Sequence, residues 1–229
     1  MGGWKRGVYL GVRPSKRYKK EVAERVAEFL LDTFGVEQLA QGTGVFEIAG
    51  GSGYLSAALR DISDGRIPVT MIDPKPNLDY ASKHLLSDPG FELIPRSLTP
   101  ELVSEISGDI SEASLVVSIY PHEVTEAVAD FSKALNLPAV IVPCCPLPGM
   151  TPSDPSTPID TVEQLAYHLQ HRDSALIPFK IKHNRVPPNP GFRNWVAGTA
   201  RELRENIRRV SESPGGVVDT ILVRFPQEE

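Results

Sequence analysis

The stretch VFEIAGGSGYLS, residues 45–56, decides how this chain folds. A short apolar run suited to a buried strand leads into Gly50, Gly51 and Gly53, and a helical pattern follows at once. A second apolar run, VTMI, ends on Asp73 about twenty residues later. A strand, a glycine-rich turn, a helix and a second strand ending on an acid form a βαβ unit of the kind that binds nucleosides.

The glycines determine how closely a ligand can approach the main chain. Glycine has no Cβ, so Gly50, Gly51 and Gly53 can take positive φ and let a ligand lie against bare backbone. The helix that follows presents unpaired N–H groups to the anionic end of a ligand. Asp73, at the carboxyl end of the second strand, is placed to accept hydrogen bonds from a ribose diol. A glycine-rich turn that binds no ligand is the alternative.

Three nucleoside-binding patterns compete for this turn. The dinucleotide fingerprint matches only in part, because Ser56 stands where a third small residue packs the helix, and the Gly-Lys-Ser/Thr of a phosphate-binding loop is absent. The remaining pattern, Glu47-x-Ala49-x-Gly51-x-Gly53, resembles motif I of the class I S-adenosylmethionine-dependent methyltransferases, with Ala49 in place of the usual first glycine. This resemblance covers about residues 40 to 145.

The resemblance implies S-adenosylmethionine as cofactor. It places Glu47 near the methionine end, the glycine loop beneath the ligand and Asp73 on the ribose. The predicted cofactor-binding residues are Glu47, Ala49, Gly50, Gly51, Ser52, Gly53, Asp73, Pro74, Ser118 and Ile119.

The rest of the chain alternates between strand and helix patterns, which predicts crossover units and a parallel sheet covered on both faces. We predict an α/β, Rossmann-like class I methyltransferase fold with a mostly parallel seven-stranded sheet. The predicted strands are Val45–Ala49, Ile67–Ile72, Phe91–Ile94, Leu115–Ile119, Ala139–Val142, Leu176–Ile181 and Val217–Phe225. The predicted helices are one ending near Phe34, then Gly53–Ile62, Pro100–Ile106, Thr125–Leu135, Thr161–Gln170 and Trp195–Val210.

At 229 residues the chain fits a single methyltransferase domain. We divide it into a basic N-terminal extension and helix (1–40), a cofactor-binding half (41–145) and a substrate-side half (146–229). No apolar run is long enough to span a bilayer, and the first residues lack the apolar core of a secretion signal. The two cysteines, Cys144 and Cys145, are adjacent, which favours a reducing compartment. We therefore expect an intracellular protein, cytoplasmic or nuclear.

A formal net charge of −5 hides two basic stretches. Residues 1–25 hold eight Lys or Arg and two acids, a net charge of +6, and residues 172–209 hold nine and three, again +6. Together with Trp4, Tyr18, Phe192 and Trp195 they would suit phosphate contacts and base stacking, so RNA is a predicted partner. Ordinary solvated helix faces are the alternative.

Catalytic residues are expected after the fourth and fifth strands, because ligands of open parallel sheets bind beyond the carboxyl ends. The Asp/Asn-Pro-Pro-aromatic motif of many amino-group methyltransferases is absent, and the sequence there has Tyr120, Pro121 and His122. His122 could accept a proton from a hydroxyl nucleophile, with Tyr120 beside it. A capping or surface role for His122 is the alternative.

The double cysteine has two interpretations. A thiol could attack C6 of a pyrimidine, but enzymes that do so carry a Pro-Cys motif after the fourth strand, so soft packing at the pocket wall is the predicted role. His168 and His171 lie three residues apart with no further ligands at metal-binding spacing, and no metal is predicted. A distant resemblance links this region to tRNA ribose 2′-O-methyltransferases. The residues that carry it are His122, Thr125, Glu126, Cys144 and Cys145.

These patterns predict an S-adenosylmethionine-dependent methyltransferase, with RNA, and tRNA within that class, as the leading substrate. Two alternatives stay open: a small-molecule methyltransferase, and a non-catalytic module that has kept the fold as a binding partner.

Overall fold

One mixed sheet organises the chain. The structure, a computed structural model, describes residues 16–79, 82–121, 124–143, 162–182 and 218–224. Within these residues the strands are β1 (Val45–Ile48), β2 (Val69–Ile72), β3 (Phe91–Ile94), β4 (Leu115–Ile119), β5 (Ala139–Val142), β6 (Leu176–Lys182) and β7 (Val218–Arg224). The described strands form one sheet of seven, in the order β3-β2-β1-β4-β5-β7-β6.

The strand order reverses between β1 and β4. Strand β1 pairs in parallel with β2 on one side and with β4 on the other, while β7 runs antiparallel between β5 and β6. The connections that leave β1 and β4 at their carboxyl ends therefore diverge, and such a switch point is where open α/β sheets bind their ligands. This mostly parallel sheet of seven strands confirms the predicted fold class.

Helices cover both faces of the sheet. In chain order the helices of the described residues are α1 (Lys16–Phe34), α2 (Val36–Leu39), α3 (Tyr54–Ile62), a 3₁₀ helix (Lys83–Ser87), α4 (Pro100–Glu105), α5 (Ser107–Ser111), α6 (Thr125–Ala134) and α7 (Val162–Arg172). Alternate strand residues point to opposite faces. One set, including Val45 and Val117, packs with α1 and α3, and the other, including Phe46 and Val116, packs with α4, α6 and α7.

The local sequence explains how these helices begin and end. In α1 the residues Val22, Val26 and Leu30 recur at the helical period and are buried, and the chain leaves the helix at Gly35, whose φ is 76°. Helix α4 begins with Pro100 in its first turn, and the Thr99 hydroxyl accepts from the Leu102 N–H at 3.3 Å. No described helix is both long and apolar enough to cross a membrane.

The predicted strands and the longer predicted helices of the described region are confirmed to within two residues at each end. Strand β2 starts at Val69 rather than Ile67, because Pro68 has no N–H to give a neighbouring strand and only its carbonyl pairs, with Val45 N at 2.9 Å. The short helices α2 and α5 and the 3₁₀ helix were missed. The predicted helix Trp195–Val210 lies outside the described residues.

Candidate functional site

The carboxyl ends of β1, β2 and β4 bring the candidate residues together. Glu47 lies in β1, Asp73 directly follows β2, and Ser118 is the fourth residue of β4. Because these three parallel strands are neighbours in the sheet, their ends meet at one edge. The glycine loop (residues 49–53) connects β1 to α3 at this edge.

Positive φ occurs at three residues of the glycine loop, one of which is not a glycine. Gly51 and Gly53 have φ of 55° and 66°, whereas Gly50 does not have positive φ. Ala49 instead takes the left-handed conformation, with φ 59°. An alanine there costs free energy that a glycine would not, because its Cβ crowds the following carbonyl.

The three glycines of the loop differ in the space that surrounds their Cα atoms. A Cβ on Gly50 would lie 2.7 Å from the Met71 sulfur, and one on Gly53 would lie 2.5 Å from Leu78 Cδ2, so a larger residue at either position requires a neighbouring side chain to move. A Cβ on Gly51 would meet no atom within 4 Å. Gly51 is therefore the point at which a ligand can lie against bare backbone.

The Asp73 carboxylate faces the glycine loop. Its Oδ2 accepts from the Gly51 N–H at 2.8 Å, and its Oδ1 accepts from the Lys75 N–H at 2.7 Å, while only 8% of the residue is exposed. A carboxylate offers about four acceptor positions, so two bonds leave room for two hydroxyl donors. The arrangement fits a ribose diol.

Glu47 is buried beneath the loop. Its Oε2 accepts from the Ser56 N–H at 3.0 Å and from the Ser56 hydroxyl, and 3% of the residue is exposed. Desolvation, with a smaller contribution from the Asp73 carboxylate, raises the pKa of this carboxyl to about 7, and the hydrogen bonds from Ser56 oppose this rise. Glu47 thus ties β1 to the first turn of α3, a contact that the motif comparison did not indicate.

The end of β4 is strained. The Ser118 hydroxyl donates to the Ile48 carbonyl at 2.6 Å, which ties β4 to β1, and the Tyr120 N–H donates to the Val142 carbonyl at 2.8 Å. Tyr120 has φ 55° and, like Ala49, comes directly after its strand. Strained backbone concentrates at functional sites. Sequence patterns do not reveal φ, so this signal was available only from the structure.

The post-β2 segment (residues 74–79) folds back onto the glycine loop. The Asn77 N–H donates to the Gly51 carbonyl at 2.8 Å, and the Tyr54 phenol donates to Asp79 Oδ2. Pro74, a predicted cofactor contact, starts this segment and is exposed. No sequence pattern points to a role for Tyr54 or Asp79.

Comparison with solved structures identifies the fold. The plantazolicin methyltransferase BamL, in complex with a triazolic desmethylPZN analogue and SAH, is 13% identical, with 91% of this chain and 87% of that chain covered and a TM-score of 0.51. The chain has the class I methyltransferase fold. The 1,6-didemethyltoxoflavin-N1-methyltransferase of Burkholderia thailandensis is also similar, at 16% identity, 93% and 82% coverage and a TM-score of 0.48. So is a fibrillarin/Nop5p complex, at 10% identity, 80% and 72% coverage and a TM-score of 0.47. No protein-family model and no curated protein matches the sequence.

Some predicted positions of this methyltransferase fold cannot be placed. His122, Cys144 and Cys145 lie outside the described residues, so their roles stay predictions. Of the two spaced histidines, His168 is buried in α7, with Nε2 2.6 Å from Glu126 Oε1. Across the described ranges no three His, Cys, Asp or Glu side chains form a group that could hold a metal ion.

The described part of the first basic stretch carries paired charges. Side chains one helical turn apart in α1 form ion pairs. The pairs are Arg17 Nε with Glu21 Oε1 at 2.8 Å, Lys20 Nζ with Glu24 Oε1 at 3.6 Å, and Arg25 Nη1 with Glu28 Oε2 at 2.6 Å. Lys16 contacts Asp79 at 3.3 Å. Such pairs are typical of a solvated helix face. They leave less free positive charge for phosphates than the sequence alone indicated.

Proposed function

We propose that this protein is an S-adenosylmethionine-dependent methyltransferase. The observation that carries the proposal is the hydrogen bond between the Gly51 N–H and the Asp73 carboxylate at the carboxyl edge of the sheet. Beside this bond, the space next to the Cα of Gly51 is open. Asp73 would hold the ribose hydroxyls, and the main chain of Gly51 would lie against the ligand. When bound, S-adenosylmethionine supplies a methyl group already activated on a sulfonium.

The chain's own task is then mainly positioning. An acceptor held in line with the methyl group needs no strong base if it is an amine, whereas a hydroxyl acceptor must lose a proton. His122 is the proposed proton acceptor for that case, and Tyr120, at the strained end of β4, is the proposed neighbour that shapes the acceptor side. The cofactor-binding role of Ser118 and Ile119 is proposed for their main chain, since the Ser118 hydroxyl is bonded to β1.

Calorimetric titration with S-adenosylmethionine and S-adenosylhomocysteine (SAH) tests the cofactor. The parent protein should bind both, and Asp73→Ala should abolish binding because the ribose acceptor is gone. Gly51→Ala should weaken binding at least about tenfold, because its methyl group enters the ligand's space.

A matched control separates this effect from backbone strain. Gly65 also has positive φ, 72°, but lies beyond the end of α3, away from the loop. Gly65→Ala should lose at least as much stability as Gly51→Ala, because its Cβ would also lie 3.2 Å from Arg60 Nη2, yet it should keep the parent's affinity. If the parent protein binds neither compound, the proposal that it is a methyltransferase is wrong, and the non-catalytic binding module remains.

For the acceptor we propose RNA, with tRNA as the first candidate, on the two basic stretches and the distant resemblance to tRNA ribose 2′-O-methyltransferases. The ion pairs of α1 favour the second candidate, a small-molecule acceptor. Binding of bulk tRNA at increasing salt divides the two, because each neutralised phosphate adds about −0.7 to −0.9 to the slope of log affinity against log salt. A steep negative slope supports RNA as the acceptor, and a slope near zero refutes it.

A further inference from the structure

The post-β2 segment is bonded to the carbonyl side of the glycine loop. The Gly51 carbonyl accepts from the Asn77 N–H at 2.8 Å, and the Ser52 carbonyl accepts from the Ser82 hydroxyl at 2.6 Å. Ser82 in turn accepts from the Asp79 N–H at 3.1 Å. Two consecutive carbonyls of the loop are therefore held by the stretch of chain that follows Asp73.

One side-chain contact fastens the far end of this segment. Tyr54, the first residue of α3, is 7% exposed and packs in the core, so its ring is fixed to a rigid element. Its phenol donates to Asp79 Oδ2, whose carboxylate also lies 3.3 Å from Lys16 Nζ. Desolvation and the Asp79 carboxylate raise the pKa of the Tyr54 phenol, which keeps it a donor at neutral pH.

The post-β2 segment connects Asp73 to the contact between Tyr54 and Asp79. Asp73, whose Oδ1 accepts from the Lys75 N–H, immediately precedes the segment, and Asp79, bonded to Tyr54, is its last residue. The loop between them reaches the Gly51 carbonyl. Fixing Asp79 therefore restricts the whole segment and, through it, the orientation of the Asp73 carboxylate.

We propose that Tyr54 is a positioning residue for the nucleoside site: its hydroxyl, acting through Asp79, latches the post-β2 segment onto the glycine loop and so holds Asp73 in the ribose-binding orientation. The inference rests on the proposed function. With the latch broken, the segment populates detached states, and ligand affinity falls by the fraction of molecules that remain latched.

Tyr54→Phe tests the latch, because it removes the hydroxyl and keeps the ring. Affinity for SAH, measured by calorimetry well below the melting temperature, should fall about tenfold, since the lost hydrogen bond is one to a charged acceptor. In the free protein, hydrogen exchange at the Asn77 amide should accelerate by a similar factor, because that amide is protected by the Gly51 carbonyl.

Variants of Asp79 separate positioning from general stability. Asp79→Asn keeps an oxygen that accepts from the phenol but loses the ion pair with Lys16, so it should retain most of the parent's affinity. Asp79→Ala should weaken SAH binding as Tyr54→Phe does. The variant that combines Tyr54→Phe with Asp79→Ala should bind SAH no more weakly than either single variant, because both substitutions break the same contact. Tyr167→Phe, at an exposed residue of α7, is the neutral control.

Two results would overturn the latch. One is a parent protein that binds SAH while Tyr54→Phe binds it equally well. The other is an unchanged exchange rate at Asn77 in the variant. If the parent protein binds no SAH, the proposed function fails, but the exchange measurement on the free protein still decides whether the hydroxyl fastens the segment.

Discussion

At the scale of single residues, Ala49 occupies a conformation better suited to glycine. Its φ of 59° is left-handed, which costs an alanine about 1–2 kcal/mol. Ala49→Gly removes this strain but adds freedom to the unfolded chain, worth about 0.4–1 kcal/mol. We expect the variant to be more stable than the parent by about 0.5–1 kcal/mol, measured by urea unfolding.

The control for Ala49→Gly is the same substitution in a helix. Ala58 lies within α3, so Ala58→Gly should destabilise the protein by about 1 kcal/mol. The strain at residue 49 would be disproved if both substitutions lowered the free energy of unfolding equally.

The buried carboxyl of Glu47 predicts a pH dependence of stability. In the unfolded chain it titrates near 4.5, and in the folded protein burial raises its pKa to about 7. Between these values the folded state keeps a proton that the unfolded state has lost. The free energy of unfolding therefore has a contribution that is fully present below pH 4.5 and falls until about pH 7, by up to roughly 3 kcal/mol.

Glu47→Gln removes this contribution and keeps an oxygen for the Ser56 donors. Measured by urea unfolding between pH 5 and 8, the variant should gain stability relative to the parent as pH rises. A difference between the two proteins that stays constant across this range would show that Glu47 is ionised throughout in the folded state.

The sequence was sufficient to place some site residues and not others. Glu47, Gly51 and Asp73 belong to one βαβ unit, whose connectivity alone forces strand ends and turn to one edge of the sheet. The bond from Tyr54 to Asp79 joins residues 25 apart through a loop that has no periodic pattern. The path of such a loop depends on packing, which local patterns do not encode.

At the scale of elements, α1 contains a polar group in the wrong environment. Thr33 is 3% exposed, and within the described residues its hydroxyl has no hydrogen-bond partner. A buried polar group without a partner costs about 1–3 kcal/mol. Thr33→Val keeps the shape and should raise the free energy of unfolding by about 1 kcal/mol, with a matching rise in melting temperature.

The same substitution at a capping position provides the control. The Thr99 hydroxyl accepts from the Leu102 N–H at the start of α4, so Thr99→Val should cost about 1 kcal/mol. A loss of stability in Thr33→Val as well would mean that the α1 hydroxyl has a partner.

Element length decided what could be predicted at this scale. Strands β3, β4 and β5 are short apolar runs bounded by turn residues, and both of their ends were predicted correctly. Helices α2 and α5 have 4 and 5 residues, fewer than two turns, so the hydrophobic period cannot show in them. They exist because the chain around them is packed, not because of their own sequence.

At the scale of the whole molecule, the two edges of the sheet differ in how their buried charged groups are paired. Near the amino ends of parallel strands, buried arginines donate to carbonyls, Arg60 to Ile67 at 2.8 Å and Arg224 to Leu137 at 2.9 Å, and each is also ion-paired, with Asp88 and Asp173 respectively. The carboxyl edge instead holds the buried acids Glu47 and Asp73. Among the described residues no Lys or Arg pairs with the Asp73 carboxylate, and an unpaired carboxylate at this edge favours a cationic ligand, which is consistent with a sulfonium.

The position of β7 has a consequence for how the sheet is completed. Strand β5, which is entirely buried and apolar, has β4 on one side and β7 on the other, and β6 has no strand partner but β7 within the described residues. Until residues 218–224 insert, the most apolar strand lies along an unpaired edge, the kind of surface that templates association with other chains. Insertion of β7 thus covers the apolar β5 and leaves β6 as the edge strand, which lowers the tendency of a folding intermediate to associate with other chains.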